Sequence, residues 1–135
     1  MVFGAATPIV GLEVITAPGG AAAFTDLTAR TNPFIYTGGG EIVLDNAFDR
    51  LRSQTNDTLV INDVDHTIRG GGALGIDQLD LQNDGLISAD DPLVALVVDP
   101  RGPGSSNNAT MQAIGGGTLR ILNSTIDNTL GVIQA

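Results

Sequence analysis

A short unit of sequence recurs three times in the second half of the chain and strongly limits what the chain can fold into. In order, each unit has an Asn, a small residue that is Gly or Ala, an apolar residue, a polar residue and a final Ala. The copies are Asn83–Ala89, Asn107–Ala113 and Asn128–Ala135, of which the last contains one extra residue. Their final alanines lie 24 and 22 residues apart. Self-similarity at this period is typical of stacked repeat proteins.

A second recurring feature is a run of three glycines followed by apolar residues two positions apart. These runs open the segments 38–44, 70–76 and 115–121. Side chains two positions apart lie on the same face of a strand, and Gly accepts the positive φ angles of a sharp corner. Short strands with such corners also occur in sandwiches and barrels. The recurrence of the same corner instead favours a coil stacked on similar coils.

Stacking the repeated units on one another predicts three rows of like side chains. The rows are Ile87, Met111 and Ile133 facing inward, Ala89, Ala113 and Ala135 beside them, and Asn83, Asn107 and Asn128 at the corner. Asn accepts the left-handed conformation of a corner, and stacked Asn amides can hydrogen-bond as in cross-β ladders. We therefore predict an all-β parallel β-helix, or β-solenoid, of about five or six coils. The segment 99–106 is expected to leave this body as a loop.

The first half of the chain follows the pattern less closely. We interpret residues 1–135 as one domain, with residues 1–57 as irregular N-terminal coils or a cap and residues 58–135 as regular coils. Residues 9–15 alternate as a strand. The segment Asn46–Gln54 is a helix candidate, because an Asn cap precedes apolar residues on one face.

Composition excludes several classes of partner. The formal net charge is −9, with 15 acidic and 6 basic residues, which argues against binding to nucleic acid and to anionic lipid. No apolar run approaches the roughly 18 residues that span a bilayer, so membrane insertion is not expected. There is no cysteine and no tryptophan, with 4 Phe and 1 Tyr. The core must therefore consist mainly of Ile, Leu, Val and Ala.

From residue 58 onward, the repeats resemble those of bacterial extracellular β-solenoid proteins. The runs that carry the resemblance are Thr67–Gly72, Leu79–Ala89, Gly115–Leu119 and Gly131–Ala135, in which corner, strand and spacing recur together. The similar proteins are the parallel β-helix stalks of autotransporter passengers and of filamentous-haemagglutinin-like adhesins. This resemblance implies a right-handed coil, export, and a location outside the cell or on its surface. It does not identify a ligand, because such stalks carry many different tips.

The segment Asp80–Asp91 resembles a calcium-binding loop of the EF-hand or dockerin kind. Asp80, Asp84 and Asp91 occupy its first, fifth and twelfth positions. The segment departs from that loop at the third position, which is Gln82, and in having Asp in place of Glu at the twelfth. The preceding leucines alternate as in a strand, whereas helices flank a true loop of this kind. A calcium site at these three carboxylates is therefore an alternative to a metal-free repeat corner, and we expect no other cofactor.

Catalytic chemistry has little support in the sequence. His66 is the single histidine, and with no cysteine the chain lacks the ligands of a zinc or 2-His-1-carboxylate site. We expect His66 to be a solvated strand or corner residue and not the base of a Ser-His-Asp triad. Polysaccharide-degrading β-helices use clustered acids, but no lyase or hydrolase signature is present. We expect no enzyme activity.

These observations predict a non-catalytic structural or adhesive segment of a bacterial extracellular surface protein, such as a stalk, an adhesin body or a filament element. Open solenoid ends pair with other chains unless they are capped. We therefore expect end-to-end self-association or membership of a longer chain. One alternative is a carbohydrate-binding or polysaccharide-degrading β-helix that contacts host or matrix glycans. The other is a calcium-stabilised β module.

Overall fold

All regular elements are β-strands in the part of the chain that this computed structural model describes, residues 2–3, 24–122 and 125–135. Within these residues no helix is long and apolar enough to cross a membrane. In chain order the strands are β1 (Val2–Phe3), β2 (Thr25–Ala29), β3 (Phe34–Tyr36), β4 (Glu41–Ser53), β5 (Thr58–Asn62), β6 (Thr67–Leu74), β7 (Leu79–Asn83), β8 (Leu86–Ala89), β9 (Leu96–Val98), β10 (Ser105–Asn107), β11 (Thr110–Ala113), β12 (Leu119–Ile121), β13 (Ile126–Asp127) and β14 (Val132–Gln134).

The strands stack in parallel as two sheets. Sheet A has the order β1-β2-β4-β6-β8-β11-β14. In the same sheet β9 also pairs with β6, and β12 pairs with β9. Sheet B has the order β13-β10-β7-β5-β3. Neighbouring strands lie one coil apart in sequence, and the step ranges from 19 residues between Ile68 and Ile87 to 26 between Glu41 and Thr67. The chain is therefore a parallel β-solenoid, as predicted.

The solenoid makes about four turns, fewer than the predicted five or six. The prediction assumed that all 135 residues form coils, whereas the continuous described coils begin at Thr25. The strands before residue 58 pair in parallel with later coils. The division of the domain into a cap and regular coils at that point stays a prediction.

The interior is a narrow column of aliphatic side chains in register. One row contains Ile42, Ile68, Ile87, Met111 and Ile133, each paired with the next. The first four are at most 1% exposed. Ala89 also pairs with Ala113, and Ala135 follows Gln134, which pairs with Gln112. Each fully buried aliphatic side chain stabilises the fold by about 1.5–3 kcal/mol.

The segment Asn46–Gln54, predicted as a helix, lies almost wholly in β4, and that prediction is wrong. β4 contains an irregularity at which the register with β6 passes from Asp45 to Arg50. There the Asp45 N–H donates to Asp49 Oδ2 at 2.9 Å, so the Asp49 side chain satisfies a backbone donor at the irregularity. Parallel pairing with β2 and β6 outweighs the local helix signal, because strand formation depends mainly on the neighbouring strands.

The segment 99–106, predicted as a loop, is a loop in its first part only. Residues 99–104 form the corner between β9 and β10, whereas Ser105 and Ser106 belong to β10 and pair with β13 and β7. The strand predicted at residues 9–15 lies outside the described residues.

Candidate functional site

Stacked asparagines follow one corner of the solenoid. The side-chain amides of Asn62, Asn83, Asn107 and Asn128 are joined by N–H to oxygen bonds of 2.8, 2.7 and 2.7 Å. We call these four residues the asparagine ladder. The first three are fully buried, and each of their amide nitrogens also donates to a backbone carbonyl of a following coil. The predicted Asn row is confirmed, and Asn62 extends it by one coil.

The asparagine ladder has a direction. In each step the amide nitrogen donates to the amide oxygen of the next coil, so the oxygen of Asn62 and the nitrogen of Asn128 stand at its two ends. His66 Nδ1 lies 2.7 Å from Asn62 Oδ1, and as an N–H donor it caps the first end. Asn128 is exposed, and its amide nitrogen has no hydrogen-bond acceptor among the described residues.

His66 is buried, which corrects the prediction that it is solvated. It is 2% exposed, and its ring stacks on that of Tyr36 with centroids 5.5 Å apart and planes at 23°. Burial lowers the pKa of His66 to about 4, so the ring is neutral at neutral pH. One feature of the sequence could have indicated that Asn62 belongs to the asparagine row, because Asn62 precedes Asn83 by 21 residues, close to the repeat period. That signal places Asn62 in the row but does not place His66 beside it.

The last coil leaves apolar side chains uncovered. Ile133 is 44% exposed, whereas Met111 and Ile87 in the same row are fully buried. Ile121 is 37% exposed, whereas Val98, its partner in the previous coil, is fully buried. Together they line a cavity of about 370 Å³ with Ala113, Leu119, Gln134 and Ala135. We call the exposed side of β12, β13 and β14, together with the turn between β13 and β14, the end surface.

A second cavity, of about 350 Å³, lies on the outer side of sheet A. Its charged lining residues are Asp45, Arg69, Asp90 and Asp91, and we call it the outer cavity. Arg69 pairs with Glu41 at 2.7 Å and with Asp90 at 3.4 Å. The hydrogen bond from Arg69 lowers the pKa of Glu41 and raises that of Arg69 itself. The arginine charge is therefore already compensated, and the cavity is acidic.

The three carboxylates of the predicted calcium site have separate surroundings. Asp80 is half-buried on the outer side of β7, and Asp84 accepts from Gln82 at 2.6 Å and Asn108 at 2.7 Å. Asp91 accepts two backbone N–H groups of the turn that follows it. In the described part of the chain, no three His, Cys, Asp or Glu side chains form a group that could hold a metal. The structure does not bring these three together as ligands, and calcium binding there stays a prediction.

Comparison of the chain with family models, curated proteins and solved structures found no match. The candidate sites therefore rest on the geometry of this chain, in which a buried polar ladder and an aliphatic column both run to one exposed end.

Proposed function

We propose that this chain is a non-catalytic structural segment of a bacterial extracellular surface protein, and that its coils stack end to end with those of a second copy. The observation that carries the proposal is the end surface. The aliphatic row that is buried at Ile87 and Met111 is exposed at Ile133. An additional coil would cover it in the same way that each inner coil is covered by the next.

Two forces favour an additional coil at this place. Removing apolar surface from water contributes about 25 cal/mol per Å², and the end surface also exposes Leu130 and Val132. The outer edges of β13 and β14 have no partner strand in the described part of the chain. Unpaired edge strands present N–H and C=O groups that template pairing with another strand.

The chemistry of the end surface matches that of a parallel β-coil. A coil stacked about 4.8 Å away would present an aliphatic row to Ile133 and backbone acceptors to the edge of β14. The Asn128 amide nitrogen needs an acceptor oxygen, as each earlier asparagine of the ladder has in the following coil. A second copy has coils of the same width and strand spacing, so it is the partner that we propose.

A non-catalytic role is supported by the state of the groups most suited to catalysis. The single histidine is buried and hydrogen-bonded to Asn62, and Arg69 of the outer cavity is held in ion pairs. The bacterial extracellular location and an adhesive role are supported by the resemblance of the repeats to adhesin stalks. The acidic surface, with a net charge of −9, favours solubility over contact with nucleic acid.

End-to-end stacking is tested by measuring mass against protein concentration with light scattering. We expect the wild-type mass to rise with concentration and Ile133→Asp to remain monomeric, because the substitution puts a charge on the end surface. The matched control is Val64→Asp, at a residue 68% exposed in the turn between β5 and β6, which should associate like the wild type. A wild type that is monomeric at millimolar concentration would contradict the proposal, as would association of Ile133→Asp equal to that of the wild type.

The adhesive and non-catalytic parts of the proposal have separate tests. A glycan array tests adhesion, and we expect retention of host or matrix glycans by the folded chain but not by the chain unfolded in urea. Incubation with acidic polysaccharides, followed by chromatography of the products, tests catalysis. Turnover that scales with protein concentration would contradict a non-catalytic role.

A further inference from the structure

The irregularity in β4 creates a small acidic bulge. Within the described part of the chain, residues 46–48 pair with neither neighbouring strand, because the register with β6 passes from Asp45 to Arg50 and the register with β2 begins at Asp49. The bulge therefore stands between two carboxylates, Asp45 at its start and Asp49 at its end.

Asp49 is a buried carboxylate with unused hydrogen-bonding capacity. It is 2% exposed, and its Oδ2 accepts the Asp45 N–H at 2.9 Å. Its Oδ1 is buried with no hydrogen-bond partner among the described residues. A buried carboxylate oxygen without a partner is costly. A proton or a cation at Oδ1 would remove this cost.

The Asp45 carboxylate adds negative charge beside this buried group. Burial and the adjacent Asp45 carboxyl raise the pKa of Asp49 above its ordinary value, while hydrogen bonds from the Asp45 N–H and the Asn46 side chain oppose the rise. The neighbouring basic side chain, Arg50, is bound to Asp26 by bonds of 2.6 and 2.9 Å. Across the outer cavity, Arg69 is engaged by Glu41 and Asp90. Arg50 and Arg69, the described arginines near the bulge, are therefore already paired with other acidic side chains.

The bulge also supplies neutral oxygen atoms. A β-carbon placed on Gly72 would lie 2.7 Å from the Asp49 carbonyl oxygen and 3.1 Å from the Asn46 carbonyl oxygen. The two carbonyls therefore converge beside β6, where Gly72 at φ 141° leaves them room. Hard cations such as Ca²⁺ take six to eight oxygen ligands from carboxylates, carbonyls and water, in flexible geometry. Mg²⁺ instead requires a near-ideal octahedron, which an irregular bulge suits less well.

We propose that the β4 bulge binds one divalent cation of the calcium type, held by the carboxylates of Asp45 and Asp49. Asp45 is exposed and lines the outer cavity, so the Asp45 carboxylate can meet an ion from solvent. The ion's charge of +2 balances the two carboxylates and gives Asp49 Oδ1 a partner. Carbonyl oxygens of the bulge and water complete the coordination. This site is separate from the Asp80, Asp84 and Asp91 set and independent of end stacking.

The test is calorimetric titration of chelator-treated protein with CaCl₂ and, separately, MgCl₂. We expect one Ca²⁺ per chain, weaker Mg²⁺ binding, and a melting temperature that rises with Ca²⁺ because the ion binds only the folded state. Asp49→Asn should weaken Ca²⁺ binding at least about tenfold, since it removes one of two anionic ligands. The matched control is Asp65→Asn, at an exposed residue in the turn between β5 and β6, which changes the net charge equally and should bind as tightly as the wild type.

Several results would overturn the proposal. These are no heat of binding at millimolar Ca²⁺, unchanged binding in Asp49→Asn, or loss of binding in Asp65→Asn with retention in Asp49→Asn. If Asp49→Asn does not fold, Asp45→Asn at the exposed position is measured in its place, with the same expected loss. The titration is repeated on Ile133→Asp, which leaves the bulge intact and should not associate. Calcium binding by this variant would show that the bulge does not depend on end stacking.

Discussion

Buried amides contribute to this fold through complete use of their donors and acceptors. Asn83 accepts from Asn62 at 2.8 Å and donates to Asn107 at 2.7 Å and to the Thr110 carbonyl at 3.1 Å. A polar group in an apolar interior is stable only when it is satisfied in this way, and removing one partner then leaves another group unpaired. An inner position of the asparagine ladder is therefore more sensitive to substitution than its exposed end.

Substitution of the ladder interior measures this difference. Asn83→Ala should lower the free energy of unfolding by about 2–4 kcal/mol, because the oxygen of Asn107 loses its amide donor in a buried site. Asn128→Ala, at the exposed end of the same ladder, should cost less than about 1 kcal/mol. Urea denaturation followed by circular dichroism compares the two variants with the wild type. Equal losses for the two variants would show that burial does not govern the ladder's contribution.

The buried His66 makes stability depend on pH. In the unfolded chain the imidazole takes up a proton near pH 6.5, whereas in the folded chain it does so only near pH 4. Between these values the unfolded state binds more protons, so stability is full above pH 6.5 and falls as the pH is lowered towards 4. The shift corresponds to a loss of about 3 kcal/mol. Urea midpoints at several pH values measure it.

His66→Gln distinguishes the contribution of the histidine to the pH dependence of stability from that of the carboxylates, which titrate in a neighbouring pH range. Gln can still donate to Asn62 but cannot gain a proton, so the loss between pH 6.5 and 4.5 should be smaller in this variant than in the wild type. Identical pH profiles for the two proteins would assign the pH dependence to the acids instead.

At the level of elements, β6 is a long strand that pairs with two successive strands of the next coil. Its first part pairs with β8 through Thr67–Arg69, and its last part pairs with β9 through Gly72–Leu74. The glycine run that the sequence indicated as a turn before a strand therefore lies inside this strand. Gly70 has a φ of 106°, and a β-carbon there would overlap the Leu44 carbonyl oxygen of β4. The close approach of β4 and β6 depends on this missing side chain.

Two glycine substitutions test this close approach. Gly70→Ala should destabilise the protein by more than about 2 kcal/mol, because the new methyl group meets backbone atoms and the φ angle is unfavourable for an L-residue. Gly39→Ala is the control, since a β-carbon there would have no atom within 4 Å, and its effect should remain within about 1 kcal/mol. Chemical denaturation provides both values. A Gly70→Ala protein as stable as Gly39→Ala would contradict the strand spacing described above.

At the scale of the whole molecule, stacking of copies must overcome repulsion between like charges. Each chain has a net charge of −9, whereas the exposed apolar residues Ile133, Val132 and Leu130 favour association at the end surface. Salt screens the repulsion, with a Debye length of about 10 Å at 0.1 M, and leaves the apolar contribution in place. Association through the end surface should therefore be strengthened by moderate salt.

Sedimentation velocity at low and moderate NaCl concentration checks this expectation. We expect the wild type to associate more strongly as NaCl rises, and Ile133→Asp to stay monomeric throughout. Association that weakens with salt would indicate that ion pairs, and not the end surface, hold the copies together.

The candidate sites were predictable from the sequence to different degrees. The Asn83, Asn107 and Asn128 row follows from the repeat, because the period places like residues over one another. The bulge carboxylate Asp49 gave no signal, since it belongs to a segment with local helix character. Its burial depends on where β2 and β6 pair with β4, and these contacts are made by residues about 24 positions away in either direction.

The sequence by itself determined the parallel stacking and the identity of the main interior rows. A repeat of fixed period has one arrangement in which all of its apolar and amide side chains find equivalent neighbours, so composition and spacing are sufficient. Only the tertiary structure decided that His66 is buried against Tyr36, that Asn46–Gln54 is almost wholly strand, and that Asp49 is buried at the end of a bulge. Those outcomes depend on the contacts of a coil with the coils on either side, which differ from place to place and leave no periodic trace in the chain.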